Sequence, residues 1–247
     1  MNQCFIFRTH IYTDVHVSLV QEYIEQLDGY CDVIVLLNVK DKSDASVDII
    51  RKWRRHNFNL CIFYEQDLHL RYSHYKGAWL HCQYGFYECY VQYPNYNFYW
   101  FCEYDTRFTG NIKTLLQAHE HQSQHLLGTH IQTYVESKDW YWWTESHVNL
   151  DIPLINRYKY FPAICRLSSQ LLSKLHQDNI MYYSVIESFI PSVCVKYFGE
   201  TSISNLNSIY WNNHTMRFQP SHGDQQQYIN TILNNTKYAN LLFHPIK

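Results

Sequence analysis

Phe98-Tyr99-Trp100-Phe101-Cys102 is an unbroken run of β-favouring residues that passes directly into Glu103-Tyr104-Asp105-Thr106-Arg107-Phe108-Thr109-Gly110. A short continuous apolar run is the pattern of a strand covered on both faces, as in a parallel sheet. Open parallel sheets bind their ligands beyond the carboxyl ends of the strands. Glu103 and Asp105 stand at such an end. Two carboxylates at i and i+2 can converge on one point, and hard divalent cations such as Mg²⁺ and Mn²⁺ take oxygen ligands. The competing reading is a solvated loop in which Asp105, Thr106 or Thr109 caps the helix that follows.

Moving outward toward the N-terminus, strand-like and helix-like segments alternate. Residues 4–7, 31–37 and 60–64 are apolar runs, and residues 14–27 and 43–56 carry helical spacing with Asp28-Gly29 closing the first helix. Residues 72–93 read as one further helix closed by Pro94-Asn95. Beyond the acidic pair, 112–119 reads as a helix and 126–134 as a strand. After that the pattern loosens into a strand over 158–164, a helix over 167–175, a mixed stretch over 181–195 and a helix over 224–233. Strand-helix alternation of this kind predicts an α/β fold, a mostly parallel sheet with helices on both faces. No repeat or linker interrupts it, so residues 1–247 are expected to form a single domain.

The bulk properties exclude several classes. With 247 residues, 46% hydrophobic and 17% charged, the chain is expected to fold around a sizeable core. A formal net charge of -2 provides no global field toward nucleic acid, and no nucleic-acid partner is expected. The 8 Cys form no C-x-x-C and several lie in apolar runs, which favours free thiols in a reducing compartment. There is neither a basic, apolar leader pattern at the N-terminus nor a run of 18 apolar residues, so a cytoplasmic protein is expected. The run Arg51-Lys52-Trp53-Arg54-Arg55 reads first as a solvated helix face. It is also where peripheral contact with anionic head groups on the inner face of the membrane is expected.

The stretch from Phe98 to Gly110 resembles the acidic-motif region of GT-A glycosyltransferases. It is most similar to an uncharacterised glycosyltransferase-like family with the core W-x-x-E-x-D-x-R-x-T-G. The terminal Phe243-His244-Pro245-Ile246-Lys247 is similar to the His-Pro-x-Lys ending of that group, and Phe161-Pro162-Ala163-Ile164-Cys165-Arg166-Leu167-Ser168 resembles its acceptor-side segment. The resemblance implies transfer of a sugar from a nucleotide-diphosphate donor to a glycan or glycolipid acceptor with Mn²⁺ or Mg²⁺, in a setting such as surface polysaccharide assembly. It implies a nucleotide-sugar-binding half over residues 1–134 and an acceptor-binding half over 135–247. Glu103 and Asp105 match the acidic pair that holds metal and sugar nucleotide, and His244 matches a late His that completes the metal shell. Glu stands where many such enzymes have Asp, so Glu103 is also expected to reach ribose or an intervening water. Lys247 would then face the diphosphate as a point charge.

Four further groups are candidates. Glu187, a carboxylate inside the apolar run Val185-Ile186-Glu187-Ser188-Phe189, is the expected catalytic base, because burial raises a carboxyl pKa. A base there implies inversion at the anomeric carbon; a capping or ion-paired Glu is the alternative. Arg8, Thr9 and His10 follow the first strand, where nucleobase and ribose are expected, and Asp67 lies just past the third. Trp140, Trp142 and Trp143 offer an acceptor platform, with core packing as the competing use. His119, His121 and His125 do not form a metal pattern, since only the last two share a helix face. No Walker A, G-x-G-x-x-G or G-x-S-x-G occurs. The remaining rivals are a nucleotidyltransferase, which would carry a Gly-rich basic N-terminal loop absent here, and a non-catalytic carbohydrate-binding protein.

Overall fold

Runs of β-branched, aromatic and leucine residues become central strands where helices cover both faces of a sheet. β1 (Gln3–Thr9) and β2 (Asp32–Val39) are such runs, and Val33 to Leu37 of β2 are buried without a break. A computed structural model describes residues 2–71, 75–77, 81–143, 148–178, 183–217 and 239–246. Between and after these strands come α1 (Asp14–Leu27), α2 (Asp44–Arg54), β3 (Asn59–Tyr64), α3 (Glu65–Arg71), α4 (Gln83–Gln92), β4 (Phe98–Glu103), β5 (Arg107–Phe108), α5 (Ile112–Gln117) and β6 (Leu126–Thr133). The second half contributes β7 (Val148–Asn149), β8 (Tyr158–Ser168), α6 (Ser169–Asp178), β9 (Tyr183–Ser184), α7 (Ile186–Phe198), β10 (Ile203–Asn205) and β11 (Leu242–Phe243).

Among the described residues, seven strands form one sheet in the order β10-β6-β8-β4-β1-β2-β3. The pairs β1·β2, β1·β4, β2·β3 and β10·β6 are parallel, and only β8 runs antiparallel to its neighbours β4 and β6. The sheet is therefore mostly parallel. Alternation along β1 sorts side chains onto two cores: Cys4 and Ile6 pack under α4, α6 and α7, whereas Phe5 and Phe7 pack under α1, α2 and α5. Both chain halves share this one sheet. All eight cysteines are free. No described helix is long and apolar enough to cross a membrane.

Two sequence expectations need revision, and a third is untested. The helix expected over 72–93 is confined to α4; Gly77 holds φ +109, a conformation that breaks a helix, and residues 72–74 and 78–80 lie outside the described residues. The helix expected from Leu167 starts at Ser169, because β8 continues to Ser168. The Ser168 hydroxyl oxygen there accepts the Leu171 N–H at 3.0 Å and starts the helix as a cap. The helix expected over 224–233 lies outside the described residues.

Candidate active site

β1, β2, β3 and β4 end at one edge of the sheet, and a cleft of about 880 Å³ opens there. Glu103 is the last residue of β4. The chain turns at once, with the Thr106 N–H donating to the Glu103 carbonyl at 2.9 Å, and the Thr106 hydroxyl donates to the Ala163 carbonyl of β8 at 3.2 Å. The turn leaves the Asp105 side chain buried against the cleft.

His244 reaches the same point from the other end of the chain. β11 pairs antiparallel with β5, Leu242 opposite Phe108 and Phe243 opposite Arg107, and the Ile246 N–H donates to the Asp105 carbonyl at 2.7 Å. His244 Nε2 then lies 3.1 Å from Glu103 Oε2 and 3.3 Å from Asp105 Oδ1. The ligand atoms of the three residues fall within 4.8 Å of one another. On the far side of the ring, Nδ1 is 2.7 Å from the Arg217 carbonyl, which can only accept, so Nδ1 carries the proton. With that proton fixed, Nε2 can turn its lone pair toward the two carboxylates. Three electron-rich atoms facing one point are stable with a cation among them, and a ring anchored through its other nitrogen is how metal-ligating histidines are held. The donor set fits a hard divalent cation.

Glu187 is the second residue of α7 and lines the cleft with Val185 and Ile186. Burial pushes its carboxyl up to about 7, against the opposing pull of its own backbone N–H and of the Arg8 guanidinium. Arg8, at the end of β1, lies directly opposite Glu103 in the β1·β4 ladder and pairs with its carboxylate. Both Arg8 and Glu103 line the cleft, as do Thr9, His10 and Trp142. Thr9 is buried and its hydroxyl donates to the Ile11 carbonyl; His10 is exposed and meets the Tyr104 ring edge-on at 5.1 Å.

Other candidates are placed elsewhere. Asp67 sits in the first turn of α3, pairs with Lys42 at 3.2 Å and does not line the cleft. Glu65, two residues earlier and immediately after β3, does, and its carboxylate accepts from Asn38 Nδ2 at 2.7 Å. Among the three tryptophans only Trp142 lines the cleft; Trp143 is buried with its N–H donated to the Ser137 carbonyl at 2.8 Å, and Trp140 packs edge-on against it at 4.8 Å. Lys247 lies outside the described residues. Sequence reasoning does not single out Asn38, Glu65, Tyr104 or Arg217. The strand-end rule that marks Glu103 applies equally to Asn38 and Glu65; nothing local marks Arg217, whose carbonyl matters and not its side chain.

A solved structure shares this architecture. Mouse xyloside xylosyltransferase 1, in its apo form, superposes with a TM-score of 0.51 at 8% identity over 98% of this chain and 96% of that one. The galactosyltransferase LgtC, solved with donor and acceptor sugar analogs, gives 0.48 at 11% identity over 98% and 85%. Glucosyl-3-phosphoglycerate synthase from Mycobacterium tuberculosis, solved with Mn²⁺, UDP and glucosyl-3-phosphoglycerate, gives 0.48 at 11% over 83% and 70%. The fold is GT-A-like. No protein-family model and no curated protein matches the chain. The resemblance to the uncharacterised W-x-x-E-x-D-x-R-x-T-G family accordingly has no support beyond the three sequence segments that carry it.

Proposed function

We propose that this protein is a metal-dependent glycosyltransferase that moves a sugar from a nucleotide-diphosphate donor to a hydroxyl group of a glycan or glycolipid. The observation that supports this most is the convergence of Glu103, Asp105 and His244 on one point of a cleft that also holds Glu187. Glu103, Asp105 and His244 would hold the cation. A nitrogen ligand beside two carboxylates suits Mn²⁺ better than Mg²⁺, which prefers an all-oxygen shell. Bound there, a divalent cation supplies the positive charge that a departing diphosphate requires.

The chain's own residues would do the rest. Thr9, His10 and Tyr104 stand at the end of β1 and just past β4, where the donor's nucleoside half would lie, and Lys247 is the candidate for a phosphate contact. Trp142 offers a ring face to the acceptor sugar. Glu187 takes the proton from the acceptor hydroxyl as its oxygen bonds to the anomeric carbon. The bond from that carbon to the diphosphate oxygen breaks, and the nucleoside diphosphate leaves with the electron pair. Attack from the side opposite the leaving group inverts the anomeric centre. In this reading residues 1–134 chiefly bind the donor and 135–247 the acceptor, with His244 crossing over to the metal.

Calorimetric titration with UDP, GDP and CDP, with Mn²⁺ and then with EDTA, tests this directly. One nucleotide is expected to bind in Mn²⁺ and to lose most of its affinity in EDTA. Affinity that EDTA leaves unchanged would overturn the metal-dependent reading, and binding of oligosaccharide alone would favour a non-catalytic carbohydrate-binding protein.

A further inference from the structure

Glu103 has one more side-chain torsion than an aspartate, and nothing in its own backbone says which oxygen it should present. Its surroundings do. Arg8 is its direct Cα partner across the β1·β4 ladder, so both side chains leave the same face of the sheet at the same height. Arg8 Nη2 holds Glu103 Oε1, while Glu103 Oε2 is the oxygen 3.1 Å from His244 Nε2. Arg8 is itself well held. Its guanidinium lies over the Phe86 ring, 5.5 Å from the centroid, and that ring stacks on Phe101 at 3.8 Å. The other terminal nitrogen, Nη1, is buried with no oxygen or nitrogen acceptor; the guanidinium touches the Cys82 thiol, and the carboxylate of Glu103 is its charged partner. The arginine, with its side chain only 15% exposed, cannot easily turn away to solvent.

We propose that Arg8 is a positioning residue of the cation site: by occupying Oε1 it commits Glu103 to the cation through Oε2 alone and compensates for the length of glutamate at that place. This rests on the metal-dependent reading above. Arg8 is thereby assigned to the cation site and not to the nucleobase. A planar fork is required for the task, because a lysine supplies charge but no fixed direction.

The test is Mn²⁺ affinity without nucleotide, read from the free-Mn²⁺ paramagnetic resonance signal, with a melting curve for every variant. Removal of a group that orients a metal ligand typically costs 10–100-fold in metal affinity. Arg8→Met is expected to weaken Mn²⁺ binding by roughly that factor, and Arg8→Lys to restore only part of the loss. In a Glu103→Asp background, where the shorter side chain needs less steering, Arg8→Met should cost clearly less. Should Arg8→Met unfold the protein, Arg8→Lys and its comparison in the Glu103→Asp background still decide. Unchanged affinity in Arg8→Met or Arg8→Lys, tighter binding in either, or an equal loss with and without Glu103→Asp overturns the assignment. Failure of the unmutated protein to bind Mn²⁺ overturns this and the metal-dependent function together, whereas Mn²⁺ binding that ignores Arg8 overturns the role of Arg8 alone.

Discussion

Replacing Glu187 with glutamine separates catalysis from stability, because the two should move in opposite directions. Burial holds the Glu187 carboxyl at about 7, where its ordinary value is 4.5. The sign follows from linkage. Between 4.5 and about 7 the folded protein keeps a proton that the unfolded chain has lost, so stability falls as pH rises through that window. Above about 7 the folded state carries the full cost of an ionised, half-buried carboxylate, on the order of 3 kcal/mol and less if solvent in the cleft screens it. Glutamine has nearly the same shape and never ionises. Glu187→Gln should therefore melt at about the unmutated temperature near pH 4.5 and several degrees above it at pH 8, at roughly 2–4 °C per kcal/mol for a chain of this size.

Turnover should go the other way. Glutamine cannot accept the acceptor's proton, so kcat should fall by about 10²–10⁴-fold, the usual worth of a general base, with donor affinity little changed. In the unmutated protein kcat/KM should rise with pH and level off above about 7, as the base loses its proton. Differential scanning calorimetry from pH 4.5 to 8 and steady-state transfer assays on the same preparations give both numbers. Near-unmutated turnover in Glu187→Gln would show that another group takes the proton or that the reaction retains configuration. A melting temperature at pH 8 that fails to rise would show that Glu187 is ionised without cost, and the argument from burial would be wrong.

Other substitutions divide the site further. Asp105→Ala should abolish Mn²⁺-dependent nucleotide binding and activity together, measured by calorimetry and product release, while leaving the melting temperature within a few degrees. His244→Ala should weaken Mn²⁺ binding measurably and should also loosen the 239–246 segment, which hydrogen exchange at the Ile246 N–H would report through its bond to the Asp105 carbonyl. Trp143→Ala should cost about 3–5 kcal/mol of stability, as buried aromatic truncations do, whereas Trp142→Ala should leave stability nearly intact and raise the KM for acceptor. Equal effects of the two on KM and on melting would contradict their different placements.

The first half of the fold is legible in the sequence because its strands are continuous apolar runs, and such runs have few other uses. The join after β8 is harder to read, since an eleven-residue strand ending in Leu167-Ser168 runs straight into a helix with no turn residue between them. Helix and strand patterns blur at such a join, and the hydroxyl that caps the helix is visible only once its partner N–H is placed. Within the site, sequence marks the side chains proposed to carry the chemistry but not which groups hold them in place. It favours Asp67 over Glu65 although Glu65 directly follows Tyr64, because both carboxylates lie just past the same strand and nothing local says which of them turns toward the cleft. It reads Arg8 as a nucleotide contact because a strand end usually faces ligand. The partner that Arg8 has in the structure, Glu103, is distant in sequence and opposite it in the sheet. Residues that converge by strand pairing share no local pattern. The His244 ring is placed by pairing of two-residue strands and by a carbonyl at Arg217, neither of which leaves a trace in side-chain chemistry. A ligand can therefore be guessed from its type and its neighbours in sequence, but the direction in which it points is a property of the sheet.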